Sequence, residues 1–330
     1  MKILLLGYVV RGPWGGMVWH HLQYLLGVTQ LGHEVYFLED SDDYPSCYTP
    51  FSWEATVDFS YGASFLDAIL SRFELQQNWA YYDAHSRAWY GPLSNDIHRH
   101  LQSASILLNL SGVNPLRSWF CEVPVRVLVD TDPVFTQVRH LKNQEALQNA
   151  LKHNKFFTFG ENFGKPGCLI PNDGLPWEPT RQPVVLDLWP VTPGNPQGKF
   201  TTVMQWRAYP PVEYRGVRFG MKSQSFVQYL DLPRRVSADI ELAAKGLGKD
   251  EKLLRDHGWS IVDGGSLTVD PWRYQEYIRQ SSAEFSVAKD GYVRSWSGWF
   301  SERSTAYMAS GRPVLVQNTG FTDWLPSGLG

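Results

Sequence analysis

Cysteine is scarce in this sequence: Cys47, Cys121 and Cys168 are the only three among 330 residues. They lie far apart with no CxxC spacing, which excludes a disulfide framework and gives no case for a zinc site. No apolar run reaches the ~18 residues needed to span a bilayer. Charge of one sign is also lacking. Thirty Lys and Arg against 33 Asp and Glu leave a formal net charge of -3, so nothing electrostatic draws the chain to nucleic acid or to an anionic membrane. The dinucleotide fingerprint G-x-G-x-x-G is missing as well, since Gly7 and Gly12 are five apart, and this argues against a nicotinamide-dependent oxidoreductase. The opening MKILLLGYVVRG has no small-residue cleavage site and runs straight into GPWGG and a helical pattern. It reads as a buried first strand, not a leader, and a reducing cytoplasm is the expected setting.

What is present is an ordinary packed composition, 43% hydrophobic and 19% charged, in a chain long enough for two domains. Aromatics make up 14% of residues and include 14 Trp, suited either to filling the core and a domain interface or to stacking on sugars. The first half alternates strand and helix. A doubly buried strand over 2–9 leads through Gly12, Pro13, Gly15 and Gly16 to a helix over 17–30 that stops at Gly32, followed by a strand over 33–39. Further helices are expected over 64–73 and 95–102, and strands over 106–110, 125–129 and 156–159. Prolines then crowd the stretch from Gly164 to Lys199, and a linker is expected at 166–182. Beyond it strands over 201–206, 239–243 and 260–262 alternate with helices over 223–229, 251–256 and 271–280, the last capped by Asp270. The expected fold class is α/β, with one domain over 1–165 and a second over 183–330.

The chemistry concentrates in EFSVAKDGYVRSWSGWFSERSTAYMASGRPVLVQNTG, residues 284–320. It reads as an apolar strand, a Gly/Ser/Trp-rich loop, a helix carrying Glu302 and Arg303, and another strand. Such a strand-to-helix junction at the carboxyl edge of a parallel sheet is where α/β proteins bind nucleotides. Glu302 there can accept two hydrogen bonds from ribose hydroxyls, or simply favour the helix dipole. Gly15 and Gly16 can bring backbone amides close to a phosphate or sugar, or serve a tight turn. His20 and His21 follow. A histidine can deprotonate an acceptor hydroxyl, with packing as the competing role and His20 the better candidate because it is nearer the loop. Asp130 and Asp132 in the DTD after an apolar strand match the pattern of a metal-binding DxD by three residues only. They read as cleft-edge residues that touch the acceptor or act as base, or as caps, with Glu161 a weaker candidate of the same kind. Asp263-Gly264-Gly265 reads as a turn.

The segment SGWFSERSTAYMASGRPVLVQNTGF, with VAKDGYVRS before it and the amino-terminal GYVVRGPWGGMVWHHLQYLLGVTQLGHEVYFLED, resembles bacterial glycosyltransferases of the two-Rossmann-domain (GT-B) type. The resemblance covers both ends and, more loosely, most of the chain. It implies two Rossmann-like domains facing each other across a cleft, the first for the acceptor and the second for a nucleotide-sugar donor. The implied activity is metal-independent transfer of a sugar from a nucleoside diphosphate to an unidentified acceptor, with no cofactor beyond that co-substrate. It also implies that Gly15 and Gly16 face the donor phosphates, that Arg207 and Lys222 stabilise the leaving diphosphate with Arg294 as a third cation, and that Ser297, Gly298, Trp299 and Phe300 wrap the diphosphate or sugar. The E-x7-E pair of many retaining members is absent, because Gly298 and Ala306 stand at its two positions. Retaining or inverting outcome therefore stays open. Family members continue past this chain's end with a helix that crosses back onto the first domain, so a fragment is expected. A nucleotide-sugar epimerase of the same fold, or a non-catalytic nucleotide-sugar-binding protein, are the alternatives.

Overall fold

The computed structural model describes residues 1–50 and 52–328; residues 329 and 330, the last two of the expected second domain, lie outside it. The chain divides into two compact units. One comprises Met1–Thr131, Asn143–Phe157 and Gly174–Glu178, and the other Asp132–Lys142, Thr158–Asp173 and the chain from Pro179 onward.

In the first unit, β1 (Lys2–Leu6) leads into α1 (Gly15–Gln30) and β2 (Glu34–Asp40). A short hairpin, β3 (Cys47–Thr49) and β4 (Ser52–Thr56), precedes α2 (Ser60–Ser71). Then come β5 (Trp79–Asp83), β6 (Ala88–Tyr90), α3 (Ile97–Ser103), β7 (Ile106–Leu110) and β8 (Val125–Asp130). After α4 (Phe135–Lys142), which belongs to the second unit, follow α5 (Gln144–Ala150), β9 (Lys155–Thr158) and the two-residue β10 (Glu178–Pro179). The sheet order is β10-β9-β8-β7-β1-β2-β5-β6. β1 lies in its middle, parallel to both neighbours, with Leu4 opposite Tyr36 on one side and Leu107 on the other. Its KILLL sequence suits burial on both faces, and Ile3 to Leu6 are all buried. α1 ends at Gly32, whose φ of +83° lets the amides of Gly32 and His33 turn back onto Thr29 and Val28.

The second unit holds β11 (Phe200–Gln205), the hairpin β12 (Val212–Tyr214) and β13 (Val217–Phe219), and α6 (Lys222–Phe226). It continues with β14 (Ile240–Lys245), α7 (Asp250–Asp256), β15 (Ser260–Asp263), α8 (Gly264–Thr268) and α9 (Pro271–Gln280). β16 (Ala283–Ser286), α10 (Asp290–Arg294), α11 (Glu302–Ala309) and β17 (Val314–Val316) complete it. Five strands in the order β15-β14-β11-β16-β17 pair in parallel. Asp270 caps α9 as expected, accepting from the Trp272 amide at 2.7 Å with Pro271 at the first helical position. Asp263 caps α8 in the same way.

The chain enters this unit at Asp132, ahead of the linker expected at 166–182, because α4 packs here. Val134, Phe135 and Val138 share an apolar cluster with Ile170, Phe219, Met221, Ala288 and Tyr292. The proline-rich stretch marks a change of composition, whereas the division follows where apolar side chains are buried.

Candidate functional site

In the second sheet, β11 is followed by β14 on one side and flanked by β16 on the other. Connections from β11 and β16 thus lead apart, and the carboxyl ends of these two strands form a topological switch point, the usual ligand crevice of an open α/β sheet. α11 starts beside the end of β16, where Arg303 reaches Ser286, and Lys222 at the start of α6 is within electrostatic reach of Arg303 and Glu302.

Arg303 builds the floor. It is buried, and its guanidinium donates to Glu284 on β16 at 2.7 Å, to the Val203 carbonyl on β11 at 2.6 Å and to the Ser286 hydroxyl. Burial works against the charge, but Glu284 and the nearby Tyr274 and Tyr307 outweigh it and hold the group above its ordinary value. The second carboxylate oxygen of Glu284 is buried without a hydrogen-bond partner.

Lys222 and Glu302 stand beside this floor. Among the described residues Lys222 has neither a hydrogen bond nor an ion pair, although its side chain is half-buried. Its pKa is pushed down to about 7, first by burial and then by Arg303 and Lys289, against a smaller opposing pull from Glu302 and Glu284. Glu302 is exposed in the first turn of α11. The capping role is filled by Ser301, whose hydroxyl accepts from the Arg303 amide at 3.2 Å, so the Glu302 carboxylate is left without a partner among the described residues. An unpaired ammonium and an unpaired carboxylate at a switch point are what a ligand with anionic and hydroxyl groups would need.

The other expected cations carry ion pairs. Arg207 pairs with Asp250 at the start of α7, and Arg294 with Asp290 one turn back on α10 at 2.9 Å. Within the 297–300 loop, Ser297 and Phe300 are buried. Ser297 accepts from the Trp299 amide at 3.2 Å, and Phe300 packs against Phe321. Gly298 has φ of +76°, and a Cβ there would come within 2.9 Å of Asn162, so this glycine answers a backbone need. Trp299 is half-buried and lies on Tyr292 with ring centroids 4.4 Å apart.

Asp132, expected as a cleft-edge acid, is the counter-ion of Lys289, which the sequence pattern does not single out. Lys289, between β16 and α10, donates to Asp132 Oδ1 at 2.8 Å, and the hydroxyls of Tyr292 and Tyr209 donate to the same carboxylate. Glu161 is paired with Arg181. Among the described residues no cluster of three His, Cys, Asp or Glu could hold a metal ion.

In the first unit the glycine loop is closed from within. The amides of Val9 and Val10 donate to Glu39 Oε2 at 2.7 and 2.8 Å, and that of Arg11 to Oε1 at 2.8 Å. Arg11 is buried and also pairs with Glu39 at 3.3 Å. A carboxylate from the end of β2 thus takes the amides that would cradle a pyrophosphate in a dinucleotide site. Gly15 and Gly16 open α1 behind this loop. His20 and His21 are buried in α1, and desolvation lowers them to about 4 and about 3. The His20 ring packs edge-on against His21 and Tyr24, surroundings that match the packing role. His21 accepts from the Tyr8 amide at 2.9 Å and meets the Met17 carbonyl through its other nitrogen. Asp130 ends β8 and is buried.

By sequence, the chain matches no family profile and no curated protein. By structure, it is similar to AviGT4, a glycosyltransferase involved in avilamycin A biosynthesis, at a TM-score of 0.53 and 13% identity over 99% of this chain and 82% of that one. An alpha-glucosyltransferase solved with UDP and a 13-mer DNA is similar at 0.52 and 8% identity, covering 96% and 78%. The same enzyme type solved with UDP-glucose and DNA containing an abasic site gives 0.50 and 10%, covering 98% and 81%. Two Rossmann-like α/β units in tandem, matched over nearly the whole chain, show that this protein has the fold of the GT-B glycosyltransferases.

Proposed function

We propose that the protein transfers a sugar from a nucleoside-diphosphate donor to a hydroxyl or amine acceptor, without a metal, and that the donor sits in the second unit at the switch point. The observation that carries this reading is the pair Lys222 and Glu302, each without a side-chain partner among the described residues and within electrostatic reach of the other. When the bond from the anomeric carbon to the diphosphate breaks, negative charge grows on the leaving oxygen, and a preorganised ammonium stabilises it there. Glu302 accepts from the ribose hydroxyls, as an acidic residue does in other Rossmann sites. Solved neighbours hold UDP or UDP-glucose, which supports this donor class. A net charge of -3 supports an acceptor other than nucleic acid.

The test is turnover. Incubated with a panel of nucleotide sugars, the protein should release nucleoside diphosphate slowly when only water is available as acceptor, and faster once a true acceptor is present. Conversion of the donor sugar into its epimer with no release would favour an epimerase, and binding without any turnover would leave a binding protein.

A further inference from the structure

Lys222 and Lys289 lie within electrostatic reach of each other, since the Lys289 charge is among the causes that lower the Lys222 pKa. The segments that carry them are joined through the backbone: the Gly291 amide donates to the Gly220 carbonyl at 3.0 Å and the Asp290 amide to the Met221 carbonyl at 3.5 Å, while the Gly220 amide donates to the Asp290 carboxylate at 3.0 Å. Two ammonium groups within that reach repel each other, and such an arrangement marks an anion site unless each has its own counter-ion. Lys289 has one: Asp132 Oδ1 at 2.8 Å, with the Tyr209 hydroxyl at 2.6 Å. Lys222 has none among the described residues.

The surroundings of Lys289 separate its position from its counter-ion. Its Nζ lies over three rings, Phe135 at 5.0 Å, Tyr209 at 4.5 Å and Tyr292 at 5.2 Å from the centroids. Aromatic faces favour a cation whichever anion accompanies it. The Asp132 side chain is 30% exposed, so its carboxylate can turn to water if a stronger anion arrives.

We propose that Lys289 is a second ligand for the donor diphosphate, held in place by Asp132, Tyr209 and Tyr292, and that the bound diphosphate replaces Asp132 as its counter-ion. This rests on the donor reading above. Asp132 then competes with the ligand, and its removal strengthens binding. No metal is needed for that exchange, since one anion takes the place of another on a fixed cation.

Calorimetric titration with inorganic pyrophosphate and with UDP, GDP, dTDP and ADP tests this on the full chain, with the melting temperature of every variant recorded. Lys289→Met should weaken pyrophosphate and the preferred nucleotide by about ten- to a hundredfold, the range for losing one charge-assisted bond. Asp132→Asn should tighten pyrophosphate several-fold while lowering the melting temperature, a combination that a merely structural ion pair would not give. Unchanged affinity in Lys289→Met, or weakened affinity in Asp132→Asn, overturns the proposal. If the wild-type protein binds none of these ligands, the donor reading itself fails, a result distinguishable from either of those.

Discussion

A lysine whose pKa is near 7 has two consequences at the residue scale. The folded value lies below the ordinary 10.5, so folding disfavours the protonated form relative to the unfolded chain. Between pH 7 and 10.5 the unfolded chain therefore binds more protons at this position than the folded one, and stability from this group rises with pH. Lys222→Met should accordingly raise the melting temperature, most at or below pH 7 and progressively less toward pH 10.5. The same variant should lose nucleoside-diphosphate affinity by at least about tenfold, as expected for a charged hydrogen-bond donor. An anion bound at Lys222 raises its pKa, so titrations at pH 8 in buffers of different ionisation enthalpy should show proton uptake, and affinity should fall as pH rises above 7. Binding without proton uptake would place the anion elsewhere. Glu302→Ala should weaken nucleoside diphosphates but leave inorganic pyrophosphate unchanged, because pyrophosphate has no ribose. Equal losses for both ligands would remove the ribose assignment.

Among the elements, α11 depends on one buried arginine. Arg303 joins it to β16 through Glu284 and to β11 through the Val203 carbonyl. Replacing one partner leaves the other charged and buried, so Arg303→Met should destabilise by about 3–5 kcal/mol in denaturant unfolding. A cost under ~1 kcal/mol would mean that the pair does not hold the helix. Sequence pattern marks this helix and its strand, as well as β1, α1, β2, β7, β11, β14 and α9, most plainly β1 through its apolar run and α9 through its Asp270 cap. It passed over β5 and β6, where aromatic and charged residues mix and no period of two stands out, and over β12 and β13, short strands just after Pro210 and Pro211. Arg303 sat in plain view beside Glu302, but partners nineteen and a hundred residues away cannot be read from spacing. Lys289 and Asp132 went unpaired in the sequence for the same reason, being 157 positions apart.

Over the whole molecule, the missing G-x-G-x-x-G finds its physical counterpart in Glu39, which fills the first unit's loop from inside. The second unit carries the β11/β16 switch point at which the donor is proposed to sit. Glu39→Gln should lower stability by about 3 kcal/mol, since it leaves Arg11 charged in the core. It should not alter nucleoside-diphosphate affinity. An affinity loss matching that of Lys222→Met would move the ligand to the first unit. The α/β class and the tandem architecture were legible because parallel strands alternate with helices along most of the chain. The point of entry into the second unit was not, since the apolar face of α4 shows no preference for one unit until Phe219, Met221 and Tyr292 are folded against it.

The most direct measurement is a calorimetric titration of the wild-type protein and of Lys222→Met with UDP, GDP, dTDP, ADP and NAD. At least one nucleoside diphosphate should bind the wild type and raise its melting temperature, NAD should do neither, and Lys222→Met should lose the binding while melting no lower than wild type. Nucleoside-diphosphate binding that survives intact in Lys222→Met would contradict the assignment of the donor to the β11/β16 switch point.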